Sequence, residues 1–138
     1  MKDVTAAIII ENNKVLLTRR APGEKHAGWW EFPGGKVEPG EPPENCLRRE
    51  LREELEIDAA IGKKLIENIH RYDTGAIRLM AYHATILSGT PCLHVHDEYQ
   101  WVDVSDLNQY QLLPADVPIA GFLQKMDAHI HTSGGAIC

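Results

Sequence analysis

Between Pro33 and Ile57 a stretch dense in glycine and proline gives way to one with leucine at every fourth position, and this junction constrains the fold more than any other part of the chain. Gly34, Gly35 and Gly40, with Pro33 and Pro39, interrupt regular backbone pairing and predict a tightly turned loop over residues 33–40. From Pro43 onward Leu47, Leu51 and Leu55 form an apolar stripe, which predicts a helix over about residues 43–55. Proline just inside a helix start is well tolerated. Glu50, Glu53 and Glu54 stand at i, i+3 and i+4 of that helix, so their carboxylates converge on one face. Taken alone they also fit a solvated face, with Arg49–Glu53 and Arg52–Glu56 as surface ion pairs worth roughly a few tenths of a kcal/mol. The loop alters that balance. Gly34 and Gly35 leave backbone groups unshielded, and Gly40 and Glu41 close the loop at the helix entrance, so backbone and carboxylates can reach one ligand.

The flanks read as strands. Val4–Ile10 is β-branched and apolar, Glu11-Asn12-Asn13-Lys14 is a turn, and Val15–Thr18 is apolar again, which predicts a hairpin. Residues 19–28 read as a loop, followed by the short aromatic segment Trp29-Trp30-Glu31-Phe32. Strands are expected over 64–71, 77–87 and 98–104. A last helix is expected from near Pro114, with Ile119, Phe122, Leu123 and Met126 at helical spacing, and fraying after about residue 127. There is no internal repeat or linker. The economical architecture is α+β, an α/β/α sandwich around a mixed sheet, with a single domain over 1–126 and a tail over 127–138.

Charge narrows the partner classes. Formal net charge is −6 over 138 residues, which argues against a broad grip on nucleic acid polymers. From Glu38 to Asp58 the acids Glu38, Glu41, Glu44, Glu50, Glu53, Glu54, Glu56 and Asp58 face only Arg48, Arg49 and Arg52 as bases. Such a surface repels an anionic substrate unless divalent cations intervene, and hard cations prefer carboxylate and phosphate oxygens. No apolar run approaches the length of a membrane span, so no membrane partner is expected. Cys46, Cys92 and Cys138 are widely spaced with no CxxC pair, which fits a reducing, cytoplasmic setting.

Gly35, five residues, Glu41, seven residues, and then Arg49-Glu50-Leu51-Arg52-Glu53-Glu54-Leu55-Glu56-Ile57 resembles the Nudix box, G-x5-E-x7-R-E-U-x-E-E-x-G-U with U a bulky aliphatic residue. The one departure is Glu56, where the pattern has glycine just past the helix end. A left-handed residue is common there and costs a side chain about 1 kcal/mol. Thr18-Arg19-Arg20 and Trp30-Glu31-Phe32-Pro33-Gly34-Gly35-Lys36 extend the resemblance to MutT-type members, over roughly residues 3–125.

The resemblance implies Mg²⁺, or Mn²⁺, held by Glu50, Glu53, Glu54 and the Gly34 carbonyl, with Arg49 orienting the first glutamate. It implies hydrolysis of a nucleoside triphosphate to monophosphate and pyrophosphate by a monomer or homodimer. It also implies a further acid from a later loop, for which Glu98 is the best match as metal ligand or general base and Asp97 the fallback. Arg20, Gly35 and Lys36 would meet the phosphates, although Arg20 also fits a surface cation, and Phe32 would lie beside the base or in the core. Leu113-Pro114-Ala115-Asp116-Val117-Pro118 resembles the segment facing the base in the 8-oxo-dGTP and cytidine triphosphate groups. Asp116 fits base recognition and an ordinary helix N-cap equally. A carboxylate accepts from the exocyclic amine of cytosine, whereas 8-oxoguanine calls for an amide or a protonated acid. His94 and His96 alternate with Val95 and have a spacing that can bind metal, but with no clear third ligand they read as surface or loop histidines. The competing reading is a catalytically silent nucleotide-binding or regulatory module of the same fold.

Overall fold

The computed structural model describes residues 1–135. Strand β1 (Lys2–Glu11) turns at Asn12 and Asn13 into β2 (Lys14–Arg20), both asparagines taking the positive φ that a two-residue hairpin turn demands. β3 (Trp30–Glu31) and β4 (Gly34–Lys36) follow, then helix α1 (Pro43–Leu55), the long strands β5 (Asp58–Tyr72) and β6 (Gly75–Ser88), and β7 (His96–Asp103). Helix α2 (Val117–Gly135) closes the chain. β1 is the hub. It pairs in parallel with β6 along its length, and antiparallel with β4 at one end and β2 at the other, giving a mixed sheet.

Alternation along β1 divides the core between the two faces. Ala6 and Ile8 belong to the apolar cluster that contains Ile119, Ala120 and Leu123 of α2, while Ala7 and Ile9 belong to the one that contains Leu47, Leu51 and Leu55 of α1. Each leucine of the α1 stripe is fully buried, a gain of about 1.5–3 kcal/mol apiece. The expected α+β sandwich with helices on both faces is therefore present, and α1 has the expected limits.

Several boundaries differ from the sequence expectation for identifiable reasons. Residues 34–36 are not purely loop, because Gly34, Gly35 and Lys36 pair with Ala6, Thr5 and Val4. β5 starts at Asp58 rather than 64, and its register slips near Ile61–Ile66, which breaks the alternation that marks a strand. β7 starts at His96 rather than 98. A 3-10 segment over Val104–Gln109 had no clear periodicity to announce it. Pro114–Asp116 forms a 3-10 turn leading into α2, which runs to Gly135. Residues 136–138 of the expected tail lie outside the described residues. Among the described residues no helix is long and apolar enough to cross a membrane.

Candidate active site

β4 and α1 meet at glycine. A Cβ on Gly35 would stand 2.4 Å from the Glu50 carboxyl carbon, so any side chain there would displace the Glu50 carboxylate from its present position. The Thr5 hydroxyl donates to the Gly35 carbonyl at 3.1 Å, fixing β4 to β1.

Arg49 organises the acids around this contact. Its Nε and Nη2 donate to the two Glu41 oxygens at 2.9 and 3.0 Å, its Nη1 to Glu50 at 2.9 Å and to Glu53 at 3.3 Å, and its Nη2 to the Lys36 carbonyl at 3.3 Å. Hydrogen bonding to Arg49 holds the Glu41 carboxyl down at about 2, and Glu41 in turn raises the guanidinium further above its ordinary value. Glu41 therefore closes the loop by anchoring the arginine that orients Glu50.

Glu50 and Glu54 are a different kind of acid. Burial raises Glu50 above the usual carboxylate range, with Arg49 only partly offsetting it. Glu54 is pushed up to about 8, by burial first and then by the charges of Glu50 and Glu31. Its Oε1 is buried and has no hydrogen-bond partner among the described residues. A buried, unpaired acid beside other acids costs free energy unless a cation or a proton neutralises it. Glu53 is the outer member, its side chain 59% exposed and tied to the group through Arg49. Carboxylate oxygens such as those of Glu50 and Glu54 are the donors that a hard divalent cation prefers.

Glu50 and Glu54 line one part of a cavity of about 740 Å³, whose walls also carry Arg20, Glu31, Phe32 and Asp116. Asp116 reaches it by long-range backbone pairing. Trp30 N–H donates to the Gln111 carbonyl at 2.8 Å and Leu113 N–H to the Trp30 carbonyl at 2.9 Å, so residues 111–113 lie along the edge of β3. Asp116 Oδ2 then accepts the Phe32 N–H at 2.9 Å, across 84 positions of sequence, instead of capping its own helix. Burial, with the charge of Glu31, raises its carboxyl to about 8. Phe32 belongs to the core and also lines the cavity. Gly34, Gly35 and the exposed Lys36 line it too.

Arg20 is in the cavity wall, where Nη1 lies 3.1 Å from Glu31 Oε2. Glu98 is not brought to the carboxylate group. Facing Arg19 on β2, it forms a 3.2 Å ion pair with that residue and accepts the Gln100 amide, while the fallback Asp97 takes Arg19 Nε at 2.8 Å. Neither lines the cavity. Two residues that sequence reasoning did not select lie in or beside the cavity wall instead. Glu31, a lone acid in an aromatic run, accepts from Arg20 and meets His96 Nε2 at 2.9 Å. His96 is no surface histidine: its side chain is 1% exposed, and its Nδ1 has no partner among the described residues. The oddity of Glu31 between Trp30 and Phe32 was the one available signal.

Residues 1–126 match the family model described as NUDIX domain. The chain is 41% identical over 119 residues to a CTP pyrophosphohydrolase of Escherichia coli, covering 86% of this chain and 88% of that one. It is 38% identical over 117 residues to an 8-oxo-dGTP diphosphatase of Haemophilus influenzae, covering 83% and 85%. The solution structure of the E. coli ORF135 protein superposes with a TM-score of 0.83 at 38% identity, covering 94% of this chain and 92% of that one.

Proposed function

The chain belongs to the NUDIX domain family, and from that premise we propose that it hydrolyses a nucleoside triphosphate to the monophosphate and pyrophosphate, with a cytidine-type nucleotide as its preferred substrate. The observation that carries the reading is the joining in one cavity of the Glu50–Glu54 acids and the buried Asp116. The first end suits a metal-bound diphosphate and the second a base edge.

Nudix hydrolases use divalent metal ions, generally Mg²⁺. Glu50, Glu53, Glu54 and the Gly34 carbonyl would hold the cation, which when bound neutralises phosphate charge and lowers the pKa of an attacking water. Arg49 fixes the Glu50 rotamer before substrate arrives, so the carboxylate need not be ordered during the reaction. Arg20, already turned into the cavity by Glu31 and the Lys25 carbonyl, presents a guanidinium to phosphate oxygens, and Lys36 adds an exposed charge at the rim. Water oxygen bonds to phosphorus, the bridging phosphoanhydride bond breaks, and pyrophosphate departs with the bridging oxygen. The water proton passes to a carboxylate of the cluster.

At the other end Phe32 supplies an apolar wall and its own N–H holds Asp116 Oδ2, leaving Oδ1 for the base. Either form of the acid accepts from the exocyclic amine of cytosine. A second reading, an oxidised guanine nucleotide, gains support from the raised Asp116 carboxyl, because a protonated acid also donates to the guanine O6. A panel of canonical, methylated and oxidised nucleotides with Mg²⁺ or Mn²⁺ tests both. Monophosphate and pyrophosphate are the expected products, with cytidine nucleotides ranked first. Release of orthophosphate would contradict the cleavage position, and a dominant 8-oxo-dGTP activity would replace the first substrate with the second. Asp116→Ala should reorder the bases while a purely structural role would not.

A further inference from the structure

We propose that Glu56, Cys92 and His94 form a second cation site, for a zinc-like transition metal, at the exit of α1 and chemically distinct from the all-oxygen cluster. One carboxylate oxygen, one sulfur and one imidazole nitrogen from these residues lie within 4.8 Å of one another. Donors at about 2.0–2.3 Å from a tetrahedral zinc fit inside that span, with a fourth position left for water. All three residues are exposed, so an ion reaches them directly from solvent.

The backbone already brings the two segments together. Cys92 N–H donates to the Leu55 carbonyl at 2.9 Å, which docks the loop after β6 onto the last turn of α1. Gly89 packs against the same point, where a Cβ would come within 2.8 Å of the Glu56 carbonyl oxygen. His94 Nε2 and Glu56 Oε2 stand 2.5 Å apart, so two of the donors already converge without an ion. Glu56 is the one departure from the box pattern. It takes the left-handed conformation (φ 54°) that favours glycine, and its carboxylate contacts His94. Its carboxylate lies beside a thiol and an imidazole, the neighbours that a shared metal ion would need.

Donor chemistry selects the metal class. Thiolate and imidazole favour zinc and its neighbours, whereas Mg²⁺ demands oxygen. Binding expels the Cys92 thiol proton to solvent as the sulfur becomes a ligand. The ion would tie the β6–β7 loop to the helix that bears Glu50, Glu53 and Glu54. This inference does not depend on the choice of nucleotide.

The test is titration of the reduced, full-length protein with Co²⁺, whose thiolate charge-transfer absorption reports sulfur ligation, followed by displacement with Zn²⁺. With excess Mg²⁺ present to fill the all-oxygen cluster, wild type should give that absorption, saturating at about one equivalent, and Zn²⁺ should abolish it. Cys92→Ser should lack it, and His94→Ala should bind about tenfold or more weakly. Glu53→Gln/Glu54→Gln should retain it, which separates this site from the all-oxygen one. Circular dichroism checks that each variant is folded, and Glu56→Gln, a milder change, should also weaken binding. Mg²⁺-dependent hydrolysis should be unchanged in Cys92→Ser. The inference is overturned if wild type shows no thiolate band, if Cys92→Ser keeps it, or if His94→Ala binds as tightly as wild type.

Discussion

Glu54 and Asp116 line one cavity, both raised to about 8 by burial, but their partners differ. Glu54 has an oxygen without a hydrogen bond among the described residues, whereas Asp116 accepts the Phe32 N–H. Replacing Glu54 by Gln removes a proposed ligand and also removes a carboxylate that burial disfavours. Turnover should therefore fall by roughly 10²–10⁴-fold while the thermal midpoint is not lowered, read as Mg²⁺-dependent pyrophosphate release beside a dichroism melt. A wild-type rate would remove Glu54 from the reaction. For Asp116 the sign follows from linkage. Its carboxyl is at about 8 when folded and near the ordinary 3.8 when unfolded, with Glu31 raising it and Arg20 opposing. Between those values the native state binds the extra proton, so this group's contribution to stability declines as pH rises from about 4 to 8. Asp116→Asn keeps an oxygen for Phe32 and does not titrate. Urea midpoints of the variant and wild type should diverge in the variant's favour from pH 5 to pH 8, and a constant difference would mean that Asp116 does not titrate there. The three helical glutamates were legible because helical spacing alone groups them. The N-cap reading of Asp116 considered only neighbours in sequence, and the true partner lies on β3.

Helix α1 shows how far element limits follow from local rules. Pro43 at its start, the leucine stripe and the departure at Glu56 each have their expected consequence, because a helix is held by bonds between residues four apart. β4 and the first half of β5 were hidden for the opposite reason: Gly34 and Gly35 are poor strand residues by composition, and a slipped register near Ile61–Ile66 erases alternation, so pairing with β1 and β6 decides. Glu56 is the element-scale test. Its N–H still bonds to the Arg52 carbonyl and Ile57 is fully buried behind it, so the helix ends correctly despite a side chain in the left-handed region. Glu56→Gly should raise stability by about 1 kcal/mol in metal-free buffer, seen as a higher urea midpoint at unchanged slope. The exposed contact with His94 offsets little of that gain. A lower midpoint would show that the Glu56–His94–Cys92 contacts outweigh the backbone strain.

At the scale of the whole molecule the site divides into a local half and an assembled half. Residues 34–57 contribute the glycine contact, the arginine clamp and the glutamates from one continuous stretch, and that half could be read directly. Arg20, Glu31 and His96 come together because β2 pairs with β3 and β7, and Asp116 joins the cavity wall because residues 111–113 lie along the edge of β3. Register between distant strands has no counterpart in local spacing, which is why Glu98, two residues from His96, looked the better acid. Closing the fold thus gathers Glu31, Glu50, Glu54 and Asp116 around one cavity in a chain of net charge −6, an arrangement that a bound divalent cation should relieve. Ligand that binds only the native state stabilises it by about 2.7 kcal/mol at one hundred times its dissociation constant. Mg²⁺ should accordingly raise the melting temperature of wild type, whereas NaCl at matched ionic strength should not, because general screening acts weakly on buried groups. In Glu50→Gln/Glu54→Gln the Mg²⁺-dependent rise should largely disappear. An equal rise in that variant would place the stabilising ion elsewhere on the acidic surface and detach the carboxylate pair from metal binding.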